Sequence, residues 1–82
     1  MTNEALRSLV LDVLGGIAPE ADPNTLRGNV ALRDQLDLDS MDFLNFLVAV
    51  HQRTGVDIPE ADYGKLATLD DLLAYLKGKL GA

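Results

Sequence analysis

Apolar residues at Leu6, Leu9, Val10, Val13, Leu14 and Ile17 recur at the i, i+3, i+4, i+7 spacing that gives a helix one apolar face. Asn3 stands where a cap is expected, and Gly15-Gly16 supply the stop. Residues 18 to 38 hold Pro19, Pro23, Gly28 and two asparagines, which predict a long connecting loop pinned by Leu26, Val30, Leu32 and Leu36. A structureless loop of that length inside a small domain is often functional.

A second helix is predicted from about Ser40 to Thr54, with Asp39 as its cap, Asp42 three residues later in the manner of a capping box, and Gly55 as its end. Met41, Phe43, Leu44, Phe46, Leu47, Val48, Ala49 and Val50 make it apolar on nearly every side, so it is expected to be the central helix. Truncating Leu44, if fully buried there, would cost ~2 to 5 kcal/mol. Val56-Asp57-Ile58-Pro59 is short and ends in proline, and predicts an extended linker. Residues 60 to 66 are expected to form a short third helix with Ala61, Tyr63 and Leu66 inward. Thr68 caps a final helix carrying Leu69, Leu72, Leu73, Leu76 and Leu80, which Gly81 ends. With no β-alternation, the expected fold is all-α: a small four-helix bundle of three main helices and one short one, with a long loop between the first two.

The chain has 82 residues, which allow one domain over 1–82. A chain this short buries only ~60% of its unfolded surface, and so favours a binding or carrier module over an enzyme with a deep active site. Apolar residues at 48% with only 5% aromatics predict an aliphatic core. There is no cysteine, which excludes disulfides, thiolate metal sites and a cysteine nucleophile, and suits a reducing cytoplasm. No apolar run reaches the ~20 residues of a membrane span. The first residues lack a cationic start, and Glu4, Arg7 and Asp12 interrupt any signal-like stretch, so a cytoplasmic monomer without membrane insertion is expected.

Thirteen acids against seven bases give a net charge of -6, which argues against a nucleic-acid partner. The excess is local: Asp34, Asp37, Asp39, Asp42, Asp57, Glu60 and Asp62 face a single base, Arg53, between residues 34 and 62, and the rest of the chain sums to zero. That field either keeps a small protein soluble or steers basic partners toward it.

Ser40 follows the capping aspartate of the central helix and is expected to be exposed. A helix N-terminus offers unpaired N–H groups and partial positive charge, which suit an anion esterified to that hydroxyl. Other chemistry fits poorly. An EF-hand loop begun at Asp37 would place Met41 and Val48 where oxygen ligands belong. His51 is the only histidine, is expected to face solvent, and lies about 16 Å from Ser40 by helical rise, too far to activate it.

Leu36-Asp37-Leu38-Asp39-Ser40-Met41-Asp42 resembles the attachment motif of the acyl carrier protein family, in which Leu-Gly-x-Asp-Ser-Leu/Met precedes the second helix. Val56-Asp57-Ile58-Pro59-Glu60, Thr68-Leu69-Asp70-Asp71-Leu72 and Tyr75-Leu76 are similar to later segments of that family, in register and without a gap from Leu36 to Leu76. The resemblance implies a carrier that is not itself an enzyme. Ser40 would bear 4'-phosphopantetheine taken from coenzyme A by a phosphopantetheinyl transferase, flanked by Asp39 and Met41. The arm's thiol would hold acyl groups as thioesters for loading and transferring enzymes with basic docking patches, raising the effective concentration of cargo at whichever enzyme has docked. Asp37, Asp42, Asn45, Arg53, Asp57 and Glu60 are the expected docking residues.

The chain departs from the family at several positions. Asp37 stands where glycine is usual; if that position needs positive φ, aspartate is among the milder replacements. Asn45, His51, Gln52 and Arg53 stand where acids are usual on the second helix, which implies partners other than a housekeeping fatty-acid synthase. Tyr63 replaces a small residue and is either a core aromatic with its hydroxyl at the surface or a gate to an acyl pocket that Leu32, Leu44, Phe46, Leu47 and Leu66 could line. Aminoacyl, peptidyl and polyketide carriers share the same serine, and an unmodified helical interaction domain would use Asp39-Ser40 only as a cap.

Overall fold

The computed structural model describes residues 2–20, 22 and 24–81. Its elements are α1 (Asn3–Ile17), α2 (Leu32–Leu36), α3 (Ser40–Thr54), a 3-10 helix (Glu60–Lys65) and α4 (Leu69–Leu80). The fold is all-α with three main helices, as the periodicity predicts. Among the described residues the only extended pairing is an isolated bridge between Ala31 and Thr68. No helix there is long and apolar enough to cross a membrane.

Local chemistry sets the ends of the main helices. Thr2, not Asn3, caps α1: its hydroxyl accepts from the Ala5 N–H at 3.1 Å. The helix also runs through Gly15-Gly16 rather than stopping there. Each glycine costs about 1 kcal/mol in a helix, but Ile17 packs against the core and Ala18 is buried within it, so the last turn is held from beyond the pair. Asp39 caps α3 by accepting from the Asp42 N–H at 2.8 Å, and Gly55 closes it in the left-handed region at φ 73°. Thr68 caps α4 through the Asp71 N–H, and Gly81 ends it at φ 71°.

Residues 18 to 38 are not all loop, since α2 lies within them. Five residues are too few to display a helical period, and its capping position, Ala31, has no side-chain acceptor. Tertiary contacts hold it instead. Leu32 is fully buried and its N–H donates to the Ala67 carbonyl at 2.8 Å. Gln35 staples the preceding chain: its amide donates to the Arg27 and Val30 carbonyls, and its oxygen accepts from the Arg27 N–H. Gly28 sits so close to the start of α4 that a Cβ there would collide with the Asp70 carboxylate, while its carbonyl accepts from the Asp70 N–H at 3.0 Å. That carboxylate is the far end of an exposed side chain and can swing aside, so the backbone hydrogen bond is what ties the loop to the start of α4.

Asp37 ends α2 in the left-handed region, at φ 53° and ψ 43°. The usual glycine is therefore replaced at a position whose backbone does favour glycine. Asp37→Gly is expected to raise stability by up to about 1 kcal/mol, the relief of the left-handed strain outweighing the extra chain entropy of glycine. A lowered urea midpoint would contradict this.

α1 packs against both α3 and α4. Leu6, Val10, Val13 and Leu14 of α1, Phe46, Leu47 and Val50 of α3, and Leu69, Leu72 and Leu76 of α4 meet in the core, with Leu32 and Leu66 closing it. The expectation that α3, apolar nearly all round, is central and packed on most of its circumference needs correction. Met41 is 62% exposed and Val48 41% exposed, and Phe43, Leu44 and Ala49 are half-buried. A bundle of this size has only enough partners to cover one face of α3. Leu44 is half-buried, so the condition of full burial is not met and its truncation is expected to cost less than ~2 to 5 kcal/mol. The segment after Pro59 is a 3-10 helix in which Ala61 is exposed, Tyr63 half-buried and Leu66, just past its end, buried. With three residues per turn, Tyr63 and Leu66 share a side that Ala61 does not.

Candidate functional site

Ser40 is the first residue of α3, and it is exposed. Asp39 already satisfies the Asp42 N–H, so the serine hydroxyl is not needed as a cap. It faces a guanidinium instead: Arg33 of α2 donates from Nη2 to Ser40 Oγ at 3.1 Å. The turn at Asp37 makes this contact. The Asp37 and Leu38 N–H groups both donate to the Arg33 carbonyl, which reverses the chain and sets α2 beside the start of α3. Among the described residues Arg33 forms no salt bridge, although acids surround it in the sequence. Arg33 is not among the residues the sequence singles out; its only signal there is a cation seven residues before the serine, just outside the acidic segment.

An open apolar groove of about 260 Å³ starts at this pair and is lined by Arg33, Ser40, Phe43, Leu44, Tyr63 and Gly64. A second groove, of about 430 Å³, runs along Leu47, Val48, His51, Ile58, Pro59 and Tyr63. Tyr63 is a wall of both, more than the core aromatic it could have been. Of the five residues expected to line an acyl pocket, Leu44 borders the first groove and Leu47 the second. Leu32, Phe46 and Leu66 are sealed in the core at 0–1% exposure and line neither groove.

The 3-10 helix that carries Tyr63 is tied down beside it. Tyr75 of α4 donates its hydroxyl to Asp62 at 2.8 Å, and Lys65 pairs with the same carboxylate at 3.4 Å. The bond from Tyr75 holds the Asp62 carboxyl below its ordinary pKa, with Lys65 adding to the effect. Partial burial, and then the Asp62 partner, push the Tyr75 hydroxyl above its ordinary value.

The expected site residues fall into two groups. Asp37, Asp39, Ser40 and Met41 are exposed together around the start of α3, with Asp42 half-buried and Asn45 exposed one turn on. Asp57 and Glu60 are exposed beyond the other end of α3, about 20 Å away by helical rise. Arg53 is held by Asp12 of α1 at 3.1 Å, so part of its charge is already answered within the chain. His51 is exposed as expected, with Nδ1 2.7 Å from the Val56 carbonyl, which makes Nδ1 the protonated nitrogen. Among the described residues no cluster of histidine and acids could hold a metal ion.

A family profile described as the phosphopantetheine attachment site matches residues 4–76. The acyl carrier protein of Thermosynechococcus vestitus is 28% identical over 79 residues, covering 96% of this chain and 91% of that protein. The acyl carrier protein of Bdellovibrio bacteriovorus is 27% identical, covering 90% and 88% respectively. A solution structure from Anaplasma phagocytophilum, assigned to the acyl carrier proteins, superposes with a TM-score of 0.83 at 27% identity, covering 96% of this chain and 92% of that one.

Proposed function

Because this chain belongs to the phosphopantetheine attachment-site family, which includes the acyl carrier proteins, we propose that it carries acyl groups on a 4'-phosphopantetheine arm joined to Ser40. Members of the family are carriers, not enzymes, and the arm is their cofactor. In the reading proposed here a phosphopantetheinyl transferase supplies the arm from coenzyme A: the Ser40 oxygen forms a bond to phosphorus and loses its proton as the nucleotide half departs. The thiol that a cysteine-free chain lacks arrives with the arm, and acyl cargo is held there as a thioester. The domain, residues 1–82, works in the cytoplasm with loading and transferring enzymes.

The observation that carries this reading is the exposed Ser40 hydroxyl, set beside a guanidinium and at the mouth of an apolar groove. An anionic phosphodiester, a flexible arm and an apolar cargo each find a fitting surface there. Incubation with coenzyme A and a broad-specificity transferase is expected to add one phosphopantetheinyl group per chain, read by intact mass. An unchanged mass would contradict the proposal and favour an unmodified interaction domain.

Docking rests on the two acidic groups flanking α3, which complement basic patches on partner enzymes. Between them Asn45 and Gln52 are exposed and neutral. Replacing both with glutamate is expected to raise kcat/KM with general fatty-acid enzymes by about two- to tenfold at low salt, through faster encounter. Kinetics identical to wild type would show that these positions do not select partners.

A further inference from the structure

We propose that Arg33 is the positioning residue of the arm: its guanidinium holds the phosphodiester on Ser40 and so lays the arm over the groove walled by Phe43 and Tyr63. The inference rests on the carrier reading and goes beyond it by naming a residue outside the attachment motif. Arg33 already donates to Ser40 Oγ at 3.1 Å. Esterification removes the hydroxyl proton and puts two non-bridging phosphate oxygens, which share one negative charge, two bonds beyond that atom, within reach of the same fork of N–H donors. A guanidinium paired with phosphate forms shorter and stronger hydrogen bonds than one paired with a neutral hydroxyl.

The surrounding charge favours such a partner. Asp39 and Asp42 flank the serine, and Asp37 precedes it at the turn, so a new negative charge enters an already negative field. The Asp42 N–H at the start of α3 is occupied by the Asp39 carboxylate, which reduces what that helix end can offer an anion. Arg33 is the cation in contact with the serine, and its backbone is fixed by the Asp37 turn. It also lines the same groove as Phe43, Leu44 and Tyr63. An arm held by its phosphate at this edge starts toward those side chains and away from the acidic turn.

The test uses the holo-protein in wild-type, Arg33→Gln and Arg33→Lys forms, with modification confirmed by intact mass and folding by urea midpoint. In wild type the 31P resonance is expected to be broader than in Arg33→Gln. It should also move with added salt toward the position seen in Arg33→Gln, which itself responds little, because an exposed ion pair is screened. Arg33→Lys keeps the charge without the fork and is expected to fall between them. Cross-relaxation from the pantetheine methyl groups to the Phe43 and Tyr63 rings is expected in wild type and lost in Arg33→Gln. Superimposable 31P shifts and line widths across the salt series in wild type and Arg33→Gln would overturn the proposal, as would ring contacts that survive the Gln substitution. If wild type never acquires the group, the carrier reading itself fails, and the mass spectrum shows this before any phosphorus signal is recorded.

Discussion

Phe46→Ala is expected to destabilise the protein by about 3–5 kcal/mol, the range for removing a fully buried aromatic ring. Phe46 is 0% exposed and sits on the core face of α3 with Leu47 and Val50. Phe43 lies beside it at a centroid distance of 6.3 Å, but is itself half-buried at the groove and cannot move inward without uncovering that wall. The cavity therefore stays largely open, and the lost contacts are not recovered. Folded domains are commonly stable by only about 5–15 kcal/mol, and small ones have the least surface to bury, so this single change is expected to leave a substantial unfolded fraction. Urea denaturation checks it. Leu44→Ala, at a half-buried position that borders the first groove, is expected to shift the midpoint far less. Equal shifts for the two variants would show that the burial of α3 is misassigned.

The difference between Phe46 and Leu44 shows where sequence reasoning stops. Both belong to one apolar helix, and periodicity alone places neither at the surface. Which of them is covered depends on how many neighbours a short chain can bring to α3, a property of packing and not of spacing. The ends of α3 and α4 were legible because each is fixed by a local pair, Asp39 with Gly55 and Thr68 with Gly81. α2 was not, because its stability comes from Leu32, Gln35 and the Ala67 carbonyl, contacts that join distant parts of the chain.

The candidate site divides in the same way. Ser40 was legible in its motif, and its exposure follows from Asp39 taking the capping role. The left-handed backbone at Asp37 could be anticipated from the position where glycine is usual. Arg33 could not, since only that turn, folded, brings a side chain seven residues upstream onto the serine. The grooves on either side of Tyr63 likewise depend on the 3-10 helix being tied to α4 through Asp62 and Tyr75.

Ser40→Ala is expected to abolish attachment completely while leaving the fold intact. The substitution removes the only atom proposed to bond phosphorus, so no partial activity is expected. Stability should change by less than about 0.5 kcal/mol, as for most exposed substitutions. The cap of α3 belongs to Asp39, and alanine is the best helix former for the first turn. The bond lost from Arg33 is exposed and contributes little to folding. A variant that failed to load but also unfolded would point to a structural role for the hydroxyl, against the geometry of the cap.

The most direct measurement is peptide mapping by tandem mass spectrometry of the protein after treatment with coenzyme A and transferase. The chain has two serines, Ser8 and Ser40. Ser8 lies in the middle of α1, away from any helix start, whereas Ser40 opens α3 beside Arg33. The phosphopantetheinyl group is expected on the peptide containing Ser40 and on no other. The group found on Ser8 or on a threonine, or retained by Ser40→Ala, would contradict this expectation.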